Sequence, residues 1–257
     1  MNPDELWAAI DWQRIRTTDL LSELTPGEWD TASLCDGWSV RDVAAHLTLQ
    51  QLTLGHALLA ALRHPGSLNH INKASSRDRA ERSPDRLTAE IRGMVGSRRH
   101  NVGVTPFQTL IDIVVHGQDI AVPLGRTLAV SPFAAVTTAD QVWRGRSTRI
   151  GRLKSKVFAD LDHRGLRFVA TDADWSAGEG EEVRGPLLSI VLVLTGRPLG
   201  ADALDGPGIC ALRQRISSSS TAGRSNRQPA SEHRDRSTHP GQGAEKRWSS
   251  TQSKEEP

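Results

Sequence analysis

Cysteine is scarce in this chain. Of its 257 residues only Cys35 and Cys210 are cysteines, too few for a disulfide framework or for paired Cys-x-x-Cys metal ligands. Long apolar runs are missing as well. The longest, Ile190–Leu194 with Leu187 and Leu188 beside it, falls far short of the roughly 20 residues a membrane span requires. The opening stretch MNPDELWAAIDWQRIR carries acids and no apolar core, so no signal peptide is expected there, and a cytoplasmic protein is the simplest expectation. Gly-x-Ser-x-Gly, P-loop and Gly-x-Gly-x-x-Gly motifs are all absent, which argues against the common hydrolases and nucleotide-binding enzymes. A strong charge surplus is also lacking: the formal net charge is +2. That surplus resides in the C-terminal segment, so residues 1–216 are neutral and offer no nucleic-acid-binding face.

The same segment explains why hydrophobic residues make up only 37% of the chain. From Ser217 to Pro257 the only large apolar residue is Trp248. Such a stretch cannot bury enough surface to offset the entropy of ordering, and residues 217–257 are expected to form a disordered polar tail.

Start and stop signals divide the rest into helices. Asn2-Pro3 opens the first, which runs to about Leu24 and ends at Pro26-Gly27. Ser39 caps a second, with Asp42 completing a capping box, and the pattern predicts a helix reaching Arg63. Ser83-Pro84, Thr105-Pro106 and Ser131-Pro132 open a third, fourth and fifth; proline after a Ser or Thr cap suits the first helical turn, whose N–H groups have no partner. Helices of this length joined by short links predict a four-helix bundle over residues 1–152. After Arg152 the pattern changes. KVFADLD and GLRFVATD alternate around His163-Arg164-Gly165 and read as a hairpin. Asp172–Gly185 reads as turns, Pro186 opens an apolar helix ending at Gly196, and a short helix follows Pro207-Gly208. The expected class is therefore mainly α, with a small α+β module over residues 153–216.

The fourth helix carries the chemistry. LIDIVVHGQDIAV (110–122) is apolar nearly throughout, yet Asp112, His116 and Asp119 recur at i, i+4 and i+7 on one stripe. A buried carboxylate must be compensated. The compensation can be a core Asp–His pair, an arginine from elsewhere, or a divalent metal. His46 is an isolated imidazole in an apolar stretch of the second helix. If the bundle brings it to face Asp112 and His116, the set becomes two histidines and one carboxylate, which suits zinc or another divalent ion with an open position. Asp42 reads as the helix cap, Gln118 and Asp119 as residues able to orient ligands, Cys35 as a small buried residue or a nucleophile, and Trp29 and Trp38 as the bundle floor.

SLCDGWSVRDVAAHL (33–47), DIVVHGQDIAVPLG (112–125) and ATDADWSAGEGEEVRGPLLSIVLVLTGR (170–197) together resemble the mycothiol-dependent maleylpyruvate isomerase family, of the DinB-like superfamily of metal-binding four-helix bundles. The resemblance spans about residues 5–215. It implies a metal, zinc or another divalent ion, held by His46, Asp112 and His116, with Asp standing where many relatives carry Glu. It implies mycothiol as the thiol cosubstrate and a C-terminal module that helps close the active site. A basic residue there is expected to bind the substrate's carboxylate, and Arg197 and Arg184 are the candidates. The expected function is a metal- and thiol-dependent isomerase or S-transferase acting on a small anionic or electrophilic substrate, with a metal-bound thiolate as nucleophile. The chain is expected to act as a monomer or homodimer, with no nucleic-acid or membrane partner. The alternatives are a metal- or ligand-binding regulator without turnover, and a structural bundle whose Asp–His pair is buried.

Overall fold

The computed structural model describes residues 2–51, 76–101, 103–147 and 161–225. Helix α1 (Pro3–Ser22) starts where Asn2 accepts a hydrogen bond from the Asp4 backbone N–H. Pro3 and the acidic Asp4 and Glu5 suit the first turn of a helix, whose unpaired N–H groups carry partial positive charge. Its buried face holds Leu6, Trp7, Ile10, Arg14 and Leu21. A short helix the sequence reading treats as a stop, α2 (Pro26–Trp29), is closed by a Thr25–Glu28 capping box and buries Trp29.

Helix α3 (Val40–Leu47) begins at the expected Ser39–Asp42 capping box but ends much earlier than its pattern predicts. The Thr48 hydroxyl donates back to the Ala45 carbonyl, and the Leu49 and Gln50 N–H groups bond three residues back, to His46 and Leu47. Those tighter bonds close the helix in a 3-10-like turn. The remainder of the predicted helix, residues 52–75, lies outside the described residues. Helices α4 (Pro84–Arg92), α5 (Pro106–Ala121) and α6 (Pro132–Ser147) begin at their predicted Ser or Thr caps.

Two apolar cores meet on α5. Ile113, Val114 and Ile120 join residues of α1, α3 and α4 in the bundle core. Ile111 and Val115 face the other way, toward Ala139 and Val142 of α6 and the sheet module. The predicted hairpin between residues 156–162 and 165–172 does not form as drawn: residues 161–164 are not in a strand, and 156–160 lie outside the described residues. Instead β1 (Gly165–Ala170) pairs antiparallel with β2 (Ser176–Gly178) and parallel with β3 (Gly180–Gly185), in the order β2-β1-β3. The glycines that read as turns permit close strand approach. A Cβ on Gly178 would stand 2.3 Å from the Leu166 carbonyl oxygen, and one on Gly180 2.2 Å from that of Gly165. Helix α7 (Leu187–Leu194) packs its Ile190, Val193 and Leu194 into this second core. Helix α8 (Ile209–Ser225) runs past Ile216, where the sequence reading begins the tail; residues 226–257 lie outside the described residues. No helix among the described residues is long and apolar enough to cross a membrane.

Candidate metal centre

Helix α5 presents Asp112, His116 and Asp119 on one stripe, and two other segments come to meet it. Helix α3 brings His46. The loop 30–39 brings Cys35 and Trp38, and it docks on the end of α5 through the Leu34 N–H bond to the Asp119 carbonyl. Within the loop, Ser33 Oγ accepts from the Cys35 N–H and donates to the Trp38 carbonyl, which fixes both residues.

His46, Asp112 and His116 converge. Nε2 of His46 and Nε2 of His116 each lie 3.3 Å from the same oxygen, Asp112 Oδ1. The two imidazoles meet edge to face, with ring centroids 4.9 Å apart. A separation of 3.3 Å is long for a hydrogen bond to a carboxylate. It matches the spacing, about 3.3 Å, between ligand atoms around a tetrahedral ion with bonds of about 2.0–2.1 Å. The set therefore fits a divalent cation better than it fits a closed ion-pair triad. The other carboxylate oxygen, Oδ2, accepts from Gln50 Nε2 at 2.8 Å. Trp38 lies edge-on to His46, with centroids 5.6 Å apart.

Behind His116 sits a tighter arrangement. Its Nδ1 donates to Asp119 Oδ2 at 2.7 Å. A carboxylate can only accept, so Nδ1 carries the hydrogen, and the Nε2 lone pair faces the cluster. Asp119 is fully buried and also accepts from Arg197, Nε to Oδ1 at 2.9 Å and Nη2 to Oδ2 at 2.6 Å. Cys35 Sγ donates to the same Oδ2 at 3.0 Å and lies 3.6 Å from His116 Nδ1. A carboxylate behind the imidazole in this way is the arrangement that orients metal-ligating histidines where a metal is bound.

The sequence sets Arg197 there by a helix-ending device. Gly196 follows α7 at φ 88°, its N–H bonds the Val193 carbonyl, and the Arg197 N–H reaches the Leu192 carbonyl at 2.8 Å. That is a Schellman ending, for which glycine suits the left-handed position. The chain turns back, and the guanidinium points to α5.

Charge follows geometry. Burial alone would raise the Asp112 carboxyl, but His46 and His116 outweigh it and hold it well below the usual carboxylate range. Burial would likewise raise Asp119, yet His116 and Arg197 hold it low. Burial would lower His116, but Asp112, Asp119 and Cys35 raise it well above the usual imidazole value. A cation bound at Nε2 takes the place of a proton there.

The structure thus brings His46, Asp112 and His116 together and adds Asp119 behind them. Gln118 does not join: its Nε2 donates to the Leu128 carbonyl. Arg197 reaches the site, but its fork is engaged by Asp119 and it is only 8% exposed, so it presents no open face to a substrate carboxylate. Arg184 stands apart on β3, where its guanidinium pairs with Glu182 and its backbone with Asp205. Sequence reasoning passed over Gln50, which lies in the turn just beyond α3, and read Cys35 as a small buried residue or a nucleophile without foreseeing its place beside Asp119.

Comparison with known proteins follows the same lines. Residues 11–103 match the family model described as the mycothiol maleylpyruvate isomerase N-terminal domain. Two solved structures, a mycothiol-dependent maleylpyruvate isomerase and a single-substitution mutant of it, superpose with a TM-score of 0.52. Each is 15% identical, over 80% of this chain and 93% of that one. At that identity the likeness establishes the fold. Among curated proteins none matches the chain in sequence. Residues 11–103 thus resemble the mycothiol maleylpyruvate isomerase N-terminal domain, and the chain shares the fold of the solved mycothiol-dependent maleylpyruvate isomerase.

Proposed function

We propose that this protein is a thiol-dependent metalloenzyme, an isomerase or S-transferase acting on a small anionic or electrophilic substrate. Mycothiol is the thiol, and His46, Asp112 and His116 hold zinc or another divalent ion. The observation that carries this reading is the approach of two Nε2 atoms to one carboxylate oxygen at ligand-edge spacing. A divalent cation there supplies the positive charge that lowers the pKa of a thiol and keeps it as a nucleophilic thiolate.

The chain's own residues do the rest. Asp119 retains the Nδ1 hydrogen of His116 and so keeps the Nε2 lone pair aimed inward. Arg197 keeps Asp119 ionised and immobile. Trp38 shields the flank of His46 from water. Asp112, with 30% of its side chain exposed, marks the face by which thiol and substrate enter. Arg197 can meet an anionic group only by releasing Asp119, so its first task is to hold that carboxylate. We take residues 1–152 as the metal-binding bundle and 153–216 as a module closing over it, tied to it by the Asp119–Arg197 bond from α5 to the turn after α7.

Metal analysis of the purified full chain and of His116→Ala tests the ligand set. Stoichiometric metal in the wild type and little in the variant is expected, and full retention in the variant overturns the assignment. The loaded wild type is then mixed with mycothiol and a panel of electrophiles. A conjugate or isomer supports the enzymatic reading, whereas thiol binding without product favours a regulator.

A further inference from the structure

The two oxygens of Asp112 have different neighbours. Oδ1 faces both imidazoles, while Oδ2 accepts from Gln50 Nε2 at 2.8 Å. Gln50 is itself buried, and its Oε1 faces Arg14 Nη2 at 3.5 Å. Arg14 comes from α1 and is fully buried. Its Nη1 reaches Asp11 at 3.2 Å and the Met94 carbonyl at 2.9 Å, while Nε has no hydrogen-bond partner among the described residues.

An amide has one accepting end and one donating end, and the two are interchanged by a flip. A guanidinium only donates, so the end of Gln50 beside Arg14 must be the oxygen. The N–H₂ end is then committed to Asp112, where a carboxylate only accepts. The order Arg14, Gln50, Asp112 therefore has one consistent hydrogen-bond direction. From it we propose that Gln50, its amide fixed by Arg14, is a positioning residue that occupies Asp112 Oδ2 and leaves Oδ1 alone to face the cation.

This inference rests on the metal reading above and adds a specific consequence to it. A carboxylate with both oxygens free can bind a divalent ion through either or both. Gln50 restricts Asp112 to single-oxygen ligation, which keeps the coordination number low and a position open. Arg14 adds a buried positive charge on the same side, and Asp112 in turn favours the charged state of Arg14 against the burial that opposes it. The carboxylate ligand is thus backed by Gln50 and Arg14 as the histidine ligand is backed by Asp119 and Arg197.

The test uses the full chain stripped of metal and titrated with Co²⁺, whose visible absorption reports coordination number, and with Zn²⁺ in competition with a chromophoric chelator. Gln50→Met keeps length and removes the donor. It is expected to weaken Zn²⁺ binding about 10–100-fold and to lower the intensity of the Co²⁺ bands as Asp112 turns to bind through both oxygens. Gln50→Glu keeps the shape but replaces the donor by a second acceptor and is expected to alter the Co²⁺ spectrum as well. Arg14→Lys, which retains charge but loses the fork, is expected to fall between wild type and Gln50→Met. If Gln50→Met binds Zn²⁺ as the wild type does with an unchanged Co²⁺ spectrum, the proposal is overturned, even where its metal-free melting point drops. If the wild type itself binds neither ion, the metal reading fails first and this inference falls with it.

Discussion

Asp112 and Asp119 lie two turns apart on one face of α5, and the protein treats them in opposite ways. Asp119 has no exposed surface and is enclosed by short bonds from His116, Arg197 and Cys35. Asp112 is partly open, and its contacts to the imidazoles are long. One carboxylate is satisfied by the chain itself. The other is arranged as if a further charge were to arrive. Enclosure gives Asp119 a structural task, while the open Asp112 is left to the proposed ion, although the two residues carry the same side chain.

The sharpest way to break this contrast is to remove each carboxylate in turn. Asp119→Ala leaves the Arg197 guanidinium buried without its partner, and breaking such a pair costs about 3–5 kcal/mol of stability. Urea denaturation of the metal-free protein measures it, and a loss under about 1 kcal/mol would contradict the structural role. Next in size is metal removal. An ion held at about 100 times its dissociation constant adds roughly 2.7 kcal/mol to the folded state. Chelator should therefore lower the wild-type melting temperature and leave Asp112→Asn unmoved; equal shifts in both would place the ion elsewhere. In metal-free protein Asp112→Asn should cost less stability than Asp119→Ala, since its contacts to the imidazoles are long and partly open to water. Its effect belongs to zinc affinity, which competition titration should show to fall well beyond that of Asp119→Ala. Smallest of all, Cys35→Ala deletes one weak donor to Asp119 and should cost about 1 kcal/mol or less, with Zn²⁺ bound in the same titration at close to wild-type strength.

The same contrast explains what was legible from sequence. The helix starts were written in local chemistry: Ser39 with Asp42, Thr105 with Gln108, and Pro3, Pro84 and Pro132 at first turns. The stripe of Asp112, His116 and Asp119 was equally visible, because polar groups on an apolar helix stand out. The sheet was misread because Gly178 and Gly180 suggest turns locally, whereas a neighbouring strand's backbone requires them. The early end of α3 depends on Thr48 bonding back to Ala45, which propensity does not foretell. Arg197 was found but given a substrate-facing task, since its commitment to Asp119 is a contact across 78 residues of chain. Gln50 went unnoticed because an amide beside leucines carries no signal until Asp112 is seen opposite it.

The Arg197–Asp119 bond also sets an order of events during synthesis. All three proposed ligands have been made once His116 is added, while the guanidinium that neutralises Asp119 emerges only after the sheet and α7 have been translated. Until then Asp119 is a charged group that cannot be sequestered from water without penalty, and His116 lacks its fixed backing. On the proposed reading, metal competence is acquired late, when the carboxy-terminal half docks. A ribosome-bound fragment ending short of residue 197 holds all three proposed ligands and still awaits the residue that steadies them.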